Sequence, residues 1–176
     1  KNALEMLTLA GIITPVTHTS ANGLPFGSEA DNTYRKYLFL DTGLMLRLLN
    51  MTMGNGKEIS QQILTANVTD LVNKGSVAEL IVGLELLCYQ AKNSQAEIDY
   101  VINYNQSVLP IEVKAGTQGG MKSLWLFMRE KKLEKAIRRS LENSGSFENQ
   151  DKKETAQRKV LIYPIYAVSM LRNILL

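Results

Sequence analysis

Two short runs in the middle of the chain, Ala96-Glu97-Ile98-Asp99-Tyr100-Val101-Ile102 and Leu109-Pro110-Ile111-Glu112-Val113-Lys114, constrain its fold most. Both are rich in β-branched and aromatic residues, and the polar stretch 103–107 between them reads as a turn. The pattern predicts an antiparallel hairpin. If Asn103 pairs with Val108, Asp99 lies opposite Glu112. Opposite residues share a face, as do residues two apart along a strand. Asp99, Glu112 and Lys114 are then expected on one face, with Ile98, Tyr100, Ile111 and Val113 on the other. Two carboxylates and an ammonium in a buried-type hairpin are unfavourable unless they bind a ligand or one another. A divalent metal suits them, because Mg²⁺ takes one or two carboxylates plus water and phosphate oxygens. The competing expectation is a structural salt-bridge network.

Composition narrows the function classes. A hydrophobic fraction of 45% supports a real core, and a formal charge of +3 permits a nucleic-acid partner without demanding one. One cysteine, Cys88, excludes an intrachain disulfide and a thiolate-rich zinc site. One histidine, His18, excludes chemistry that needs two within one chain, and it is expected to be exposed in a loop. No apolar run approaches the ~20 residues of a membrane span, and the first residues show no signal-peptide pattern. A cytoplasmic protein without membrane contact is expected. The chain opens in what reads as mid-helix, so a piece of a longer protein is expected.

Along the first part, a helix ends at Ala10-Gly11, a strand covers 12–17, a long loop covers 20–33, and a second strand covers 34–40. Asp41 reads as the N-cap of a helix over 43–49. A loop over 51–59 and a helix over 60–73 are expected next. Gly75 marks a break, and Val77, Leu80, Ile81 and Leu84 make an apolar stripe on a helix over 76–88. Ser76-x-x-Glu79 at its start also reads as a capping box. After the hairpin come a glycine-rich loop over 115–121, a helix over 123–135, a strand over 136–140, a loose polar loop over 142–158, a strand over 160–163 and a closing helix over 166–176. The order is that of an α/β fold with a mixed sheet flanked by helices. The expected division is 1–74, a partial winged-helix-like segment and linker, and 75–176, an α/β domain.

Asp99 followed by Glu112-x-Lys114, with Glu79 on the preceding helix, resembles the PD-(D/E)xK nuclease superfamily, which has the restriction-endonuclease-like fold. The whole chain also resembles the C-terminal region of bacterial and archaeal predicted AAA+ ATPases. The matching stretches are Leu9-Ala10-Gly11-Ile12-Ile13, Phe39-Leu40-Asp41-Thr42-Gly43-Leu44, Gly75-Ser76-Val77-Ala78-Glu79, Ala96-Glu97-Ile98-Asp99-Tyr100, Pro110-Ile111-Glu112-Val113-Lys114 and Tyr163-Pro164-Ile165-Tyr166. The resemblance implies an ATP-binding domain upstream, a winged-helix-like linker and a nuclease-like domain. It implies Mg²⁺ or Mn²⁺ held by Asp99, Glu112, the Val113 carbonyl and Glu79, with Lys114 orienting a water or offsetting developing charge. It implies DNA or RNA as partner and the upstream ATPase domain as a second partner; a homo-oligomer is a separate expectation, which the sequence does not decide. One departure stands out. Relatives carry an aromatic-rich strand between the Glu79 helix and the Asp99 strand. Here 87–90 runs directly into 91–94, so that strand and its turn are expected to be missing, with residues lost between Gln90 and Ala91.

The remaining motifs have plainer readings. The loop Gly116-Thr117-Gln118-Gly119-Gly120-Met121-Lys122-Ser123 imitates a phosphate loop, but Met121 interrupts the required Gly-Lys-Ser. Gly54-Asn55-Gly56-Lys57 is a poorer imitation, so ATP hydrolysis is not expected from these residues. Lys122, Arg129, Lys131, Lys132, Lys135, Arg138 and Arg139 are expected to form a solvated basic face, with a nucleic-acid backbone contact as the alternative. Trp125, Tyr34 and Tyr37 are expected to pack rather than stack on bases. The leading expectation is Mg²⁺-dependent phosphodiester hydrolysis of nucleic acid. The alternatives are a non-catalytic nucleic-acid-binding or assembly module coupled to the ATPase, and a regulator acting through the winged-helix part.

Overall fold

The computed structural model describes residues 2–48, 74–86, 89–92, 96–116, 119–151 and 156–171. The expected loop over 51–59, the helix over 60–73, Gly54-Asn55-Gly56-Lys57, Thr117 and Gln118 lie outside the described residues. Among the described residues no helix is long and apolar enough to cross a membrane.

The chain opens with α1 (Ala3–Leu9), capped by the Asn2 side chain on the Leu4 amide at 3.3 Å. Gly11 ends it in the left-handed region, at φ 69°. The Gly11 amide bonds to the Thr8 carbonyl and the Ile12 amide to the Leu7 carbonyl, a Schellman closure that glycine makes easy. Next come β1 (Ile13–Thr19), a 3₁₀ turn (Phe26–Glu29), β2 (Ala30–Phe39) and α2 (Thr42–Leu48). Asp41 caps α2 as expected, accepting from the Leu44 amide at 2.8 Å. Then follow α3 (Lys74–Leu86), β3 (Tyr89–Lys92), β4 (Glu97–Tyr104), β5 (Ser107–Val113), α4 (Lys122–Glu130), β6 (Lys135–Ser140), β7 (Gly145–Asp151), β8 (Ala156–Pro164) and a closing 3₁₀ turn (Ile165–Met170).

These strands make one mixed sheet of eight, in the order β2-β1-β3-β4-β5-β6-β8-β7. The β4–β5 hairpin has the expected register, with Asn103 opposite Val108. Its turn narrows to Asn105 and Gln106, both at positive φ, as a two-residue hairpin turn requires. The strands β5, β6 and β8 run parallel, and β7 pairs antiparallel with β8 at the edge.

Alternate strand residues feed two cores, one on each face of the sheet. Tyr100, Ile111 and Ile137 pack with Ala78, Leu80 and Val82 of α3 and with Ile165 and Val168 of the closing turn. Val101, Val108, Ala136 and Val160 pack with Leu124, Phe127 and Met128 of α4. The first hairpin belongs to the same body. Residues of β1 pair in parallel with β3, and Val16, Leu38 and Met45 enter the α3-side core. Residues on the two sides of the expected boundary at 74/75 therefore share a sheet and a core.

Several expectations are corrected. The strand expected to be missing before Asp99 is present as the short β3, which bridges β1 and β4. The stretch expected as a loose loop over 142–158 contains β7, paired from Gly145–Ile162 to Asp151–Ala156. Residues 145–149 are all exposed, so this edge strand has no apolar face to betray it. The helix expected to reach 135 stops at Glu130, because Lys132 takes φ 53° and the Leu133 amide bonds to the Met128 carbonyl at 2.8 Å. A lysine fills a place usually held by glycine, and the sequence therefore carries no stop signal. Of the closing helix expected over 166–176, the part to Met170 is a 3₁₀ turn, Leu171 is α-helical, and 172–176 lie outside the described residues.

Candidate metal and charge centre on the β4–β5 hairpin

A slip in the sheet shapes the site. Tyr89 pairs with Val101, but Ala91 pairs with Ile98. Two residues of β4, Asp99 and Tyr100, thus lie against one of β3, which is a β-bulge. Its effect is visible in the packing. Ile98 joins Val101 in the α4-side core, while Tyr100 stays with Ile111 and Val113 on the α3 side. Strict alternation, as expected from the sequence, had placed Ile98 with Tyr100. The regular ladder of β4 with β5 runs from Tyr104–Ser107 to Tyr100–Ile111. Beyond it the Val113 amide donates to the Asp99 carboxylate at 2.8 Å.

Glu112 is buried, 6% exposed, and its carboxylate meets Lys114 Nζ at 2.5 Å. Both project from β5, two residues apart. The Lys114 amide bonds to the Arg139 carbonyl at 2.8 Å, which extends the β5–β6 pairing past the bulge. Glu79 comes from α3. Its carboxylate meets Lys36 Nζ of β2 at 2.6 Å, and its carbonyl accepts from the Tyr100 hydroxyl at 2.8 Å. Ser76 lies within the first turn of α3, so the capping-box reading gives way to a cross-element ion pair. Lys36 also stands 5.1 Å from the centre of the Tyr100 ring. Sequence reasoning missed Lys36, because nothing in β2 marks it and its partner is far along the chain.

Asp99 is partly buried, and its carboxyl is pushed up from the ordinary 3.8 to about 7. Burial is the largest cause, followed by the charges of Glu112 and Glu79; the Val113 hydrogen bond and Lys36 oppose them. Three carboxylates thus converge on two ammonium groups. Burial and the two neighbouring carboxylates favour the protonated form of Asp99.

That donor set fits a hard divalent cation held by two carboxylates, Asp99 and Glu112, with water and phosphate oxygens completing its shell. The fit is limited to that kind of site. Among the described residues no three His, Cys, Asp or Glu groups gather closely enough to enclose a metal. Glu79 is held by Lys36, as described above, and is not drawn into such a group with the other two.

The remaining candidates are dispersed. Arg138 and Arg139, expected on a solvated face, are buried in β6 at 3% and 0% exposure. Arg138 donates to the Gly119 carbonyl at 3.0 Å and pairs with Glu142 at 3.2 Å. Arg139 donates to the Pro164 carbonyl at 3.0 Å and lies 5.4 Å from the Tyr163 ring centre, and burial lowers its pKa to about 10. They are buried because consecutive residues of an inner strand face opposite cores. His18, expected exposed, is partly buried edge-on to Tyr34, and both ring nitrogens lack a hydrogen-bond partner among the described residues. Gly119 lies against Lys114, whose stem is 3.5 Å from the position a Cβ on Gly119 would take.

No curated protein and no solved structure matches the chain. A family model does, over residues 74–168, a span that holds α3, the hairpin and α4. The match covers more than half of the sequence, and the chain belongs to the family described as a domain of unknown function (DUF4143).

Proposed function

We propose that the chain is the C-terminal, nuclease-like part of an AAA+ ATPase-like protein, and that its hairpin centre supports Mg²⁺-dependent phosphodiester hydrolysis of nucleic acid. In this proposal 75–176 form a restriction-endonuclease-like domain and 1–74 a winged-helix-like lead-in whose β1 and β2 join its sheet. The observation that carries the proposal is the proximity of Asp99 to Glu112 just past the end of the β4–β5 ladder, where burial and the neighbouring carboxylates raise the Asp99 pKa.

Asp99 and Glu112 would hold the cation, and a Mg²⁺ ion there would supply Lewis acidity toward a phosphate oxygen and a water. Lys114, already against Glu112, would orient the water and offset negative charge on the phosphate. The Val113 amide fixes the Asp99 carboxylate. Glu79 and Lys36 act from outside this group: the pair tethers α3 to β2 and tunes the field at Asp99.

A second reading has its own support. Glu112–Lys114 and Glu79–Lys36 are formed ion pairs, which favours a stabilising network in a non-catalytic nucleic-acid-binding or assembly module. Calorimetric titration with Mn²⁺ separates the two. The metal reading expects saturable binding that disappears in Asp99→Ala. Absence of binding in the parent chain sinks it and leaves the module.

A further inference from the structure

A groove of about 270 Å³ lies between α4 and the β7–β8 edge, lined by Lys122, Trp125, Leu126, Arg129, Asn149 and Arg158. The four helix residues are spaced i, i+3, i+4 and i+7, so they form one stripe. It runs beside a second stripe, Leu124, Phe127 and Met128, which is buried in the core, and Trp125 and Leu126 pack in part against that core themselves. Such a stripe normally packs against a neighbouring element. Here it begins and ends in cations, and the facing strands add an arginine and an amide.

The charge is of one sign. Three side chains of the lining are cationic, and none is acidic among the described residues. Glu148, next to Asn149 on β7, points to the other face of the ribbon and pairs with Lys159 at 3.0 Å. Trp125 and Leu126 are partly buried and give the groove an apolar wall, and Arg158 is 5% exposed, set into the opposite side. An indole beside a guanidinium and an ammonium is the pairing that single-stranded nucleic acid uses: bases stack on the ring while cations track the phosphates. An acidic peptide would use the cations but leave the indole without a stacking partner.

We infer that this groove binds a single-stranded nucleic-acid segment, with a base on Trp125 and its phosphates on Lys122, Arg129 and Arg158. The inference rests on the proposed function for its purpose, because it gives the hairpin centre a substrate-holding surface. It does not rest on the metal for its affinity.

The chain has a single tryptophan, so its emission reports on this groove alone. Titration of the chain with oligo-dT in EDTA, where the hairpin centre holds no metal, should quench Trp125 saturably. Affinity should fall with salt, by a slope of about 0.7 per phosphate contacted. Arg129→Ala should weaken binding about tenfold and reduce that slope by about one contact. An abasic oligonucleotide should bind with less quenching, and polyglutamate should not quench. Binding seen by anisotropy of labelled oligo-dT with unchanged tryptophan emission, equal quenching by polyglutamate, or no binding at all would each overturn the inference. Metal binding is read by Mn²⁺ calorimetry with Asp99→Ala and strand binding by tryptophan emission with Arg129→Ala, so loss of metal binding and loss of strand binding are separable failures.

Discussion

The amide of Val113 donates to the carboxylate of Asp99 at 2.8 Å, where the backbone ladder between their strands has ended. A side chain stands in for a backbone acceptor. Asp99 thereby satisfies a donor that the bulge leaves without its usual partner, and the same contact aims it at Glu112. The regular ladder ends just where the charged groups collect.

The first prediction concerns pH. The Asp99 carboxyl titrates at about 7 in the folded chain against an ordinary 3.8. A raised carboxyl pKa means that the folded state holds a proton the unfolded state has lost. Its contribution to stability is intact below about pH 4, falls as pH rises through 7, and is fully lost above that. Asp99→Asn keeps an acceptor for the Val113 amide but has no charge to bury. Its melting temperature, measured in EDTA, should exceed that of the parent at pH 8, and the gain should shrink steadily towards pH 4. At about 1.4 kcal/mol per unit, the gain at pH 8 is at most a few kcal/mol. A difference independent of pH would show that Asp99 is not the buried acid described.

The second concerns the tether between the first hairpin and α3. Lys36 and Glu79 meet at 2.6 Å with side chains 24% and 30% exposed. Removing Lys36 leaves Glu79 and Asp99 facing each other with less compensation. Lys36→Met should destabilise by about 1–2 kcal/mol, more than a surface pair and less than a fully buried one. Lys36→Met with Glu79→Gln should recover part of that loss. A double-mutant cycle by denaturant unfolding measures the coupling, and strict additivity would mean that the pair contributes nothing.

The third concerns Gly83 of α3. A Cβ there would come within 2.5 Å of the Tyr100 hydroxyl and 2.7 Å of Leu38 Cδ1. Alanine in a helix interior ordinarily gains about 1 kcal/mol over glycine. At this crossing the overlap reverses the sign. Gly83→Ala should destabilise by about 1–3 kcal/mol, as overpacking does. It should also loosen the Tyr100 bond to the Glu79 carbonyl, and with it the position of Asp99 next in sequence. Thermal unfolding checks the sign, and a stabilised variant would mean that α3 stands off the sheet.

How much of this was legible in the sequence depends on the range of each interaction. The hairpin register was legible, because alternation in β4 and β5 and a polar turn are local signals. The Asp41 cap and the Gly11 stop were legible for the same reason. The bulge at Asp99 and Tyr100 was not, because it arises from the register of β3, a strand of four residues with no pattern of its own. Lys36 was invisible, since only the folded sheet carries β2 to α3. The edge strand β7 was hidden by its polarity, and the end of α4 by a lysine doing what glycine usually does. The buried pair Arg138 and Arg139 looked like surface charge until the strand sent them to opposite cores.

The last prediction separates a metal site from a salt bridge at Glu112. Its pairing with Lys114 at 2.5 Å means that Glu112→Gln should lower stability in any buffer, because Lys114 loses its partner. That loss alone does not distinguish the two readings. The distinguishing quantity is the change in melting temperature on adding Mn²⁺. A cation bound only by the folded state, at a hundred times its Kd, stabilises by about 2.7 kcal/mol. For a chain of this size that is a rise of roughly 5–10 °C. The parent should show this rise, and Glu112→Gln should show little or none from its own lower baseline. Asp99→Asn should behave likewise, since it too removes a ligand charge, although its baseline at pH 8 lies above that of the parent. Two variants with opposite baselines and the same missing response would place both carboxylates on one cation. An equal rise in the parent and both variants would put the metal elsewhere in the chain and leave Asp99, Glu112 and Lys114 as a structural network.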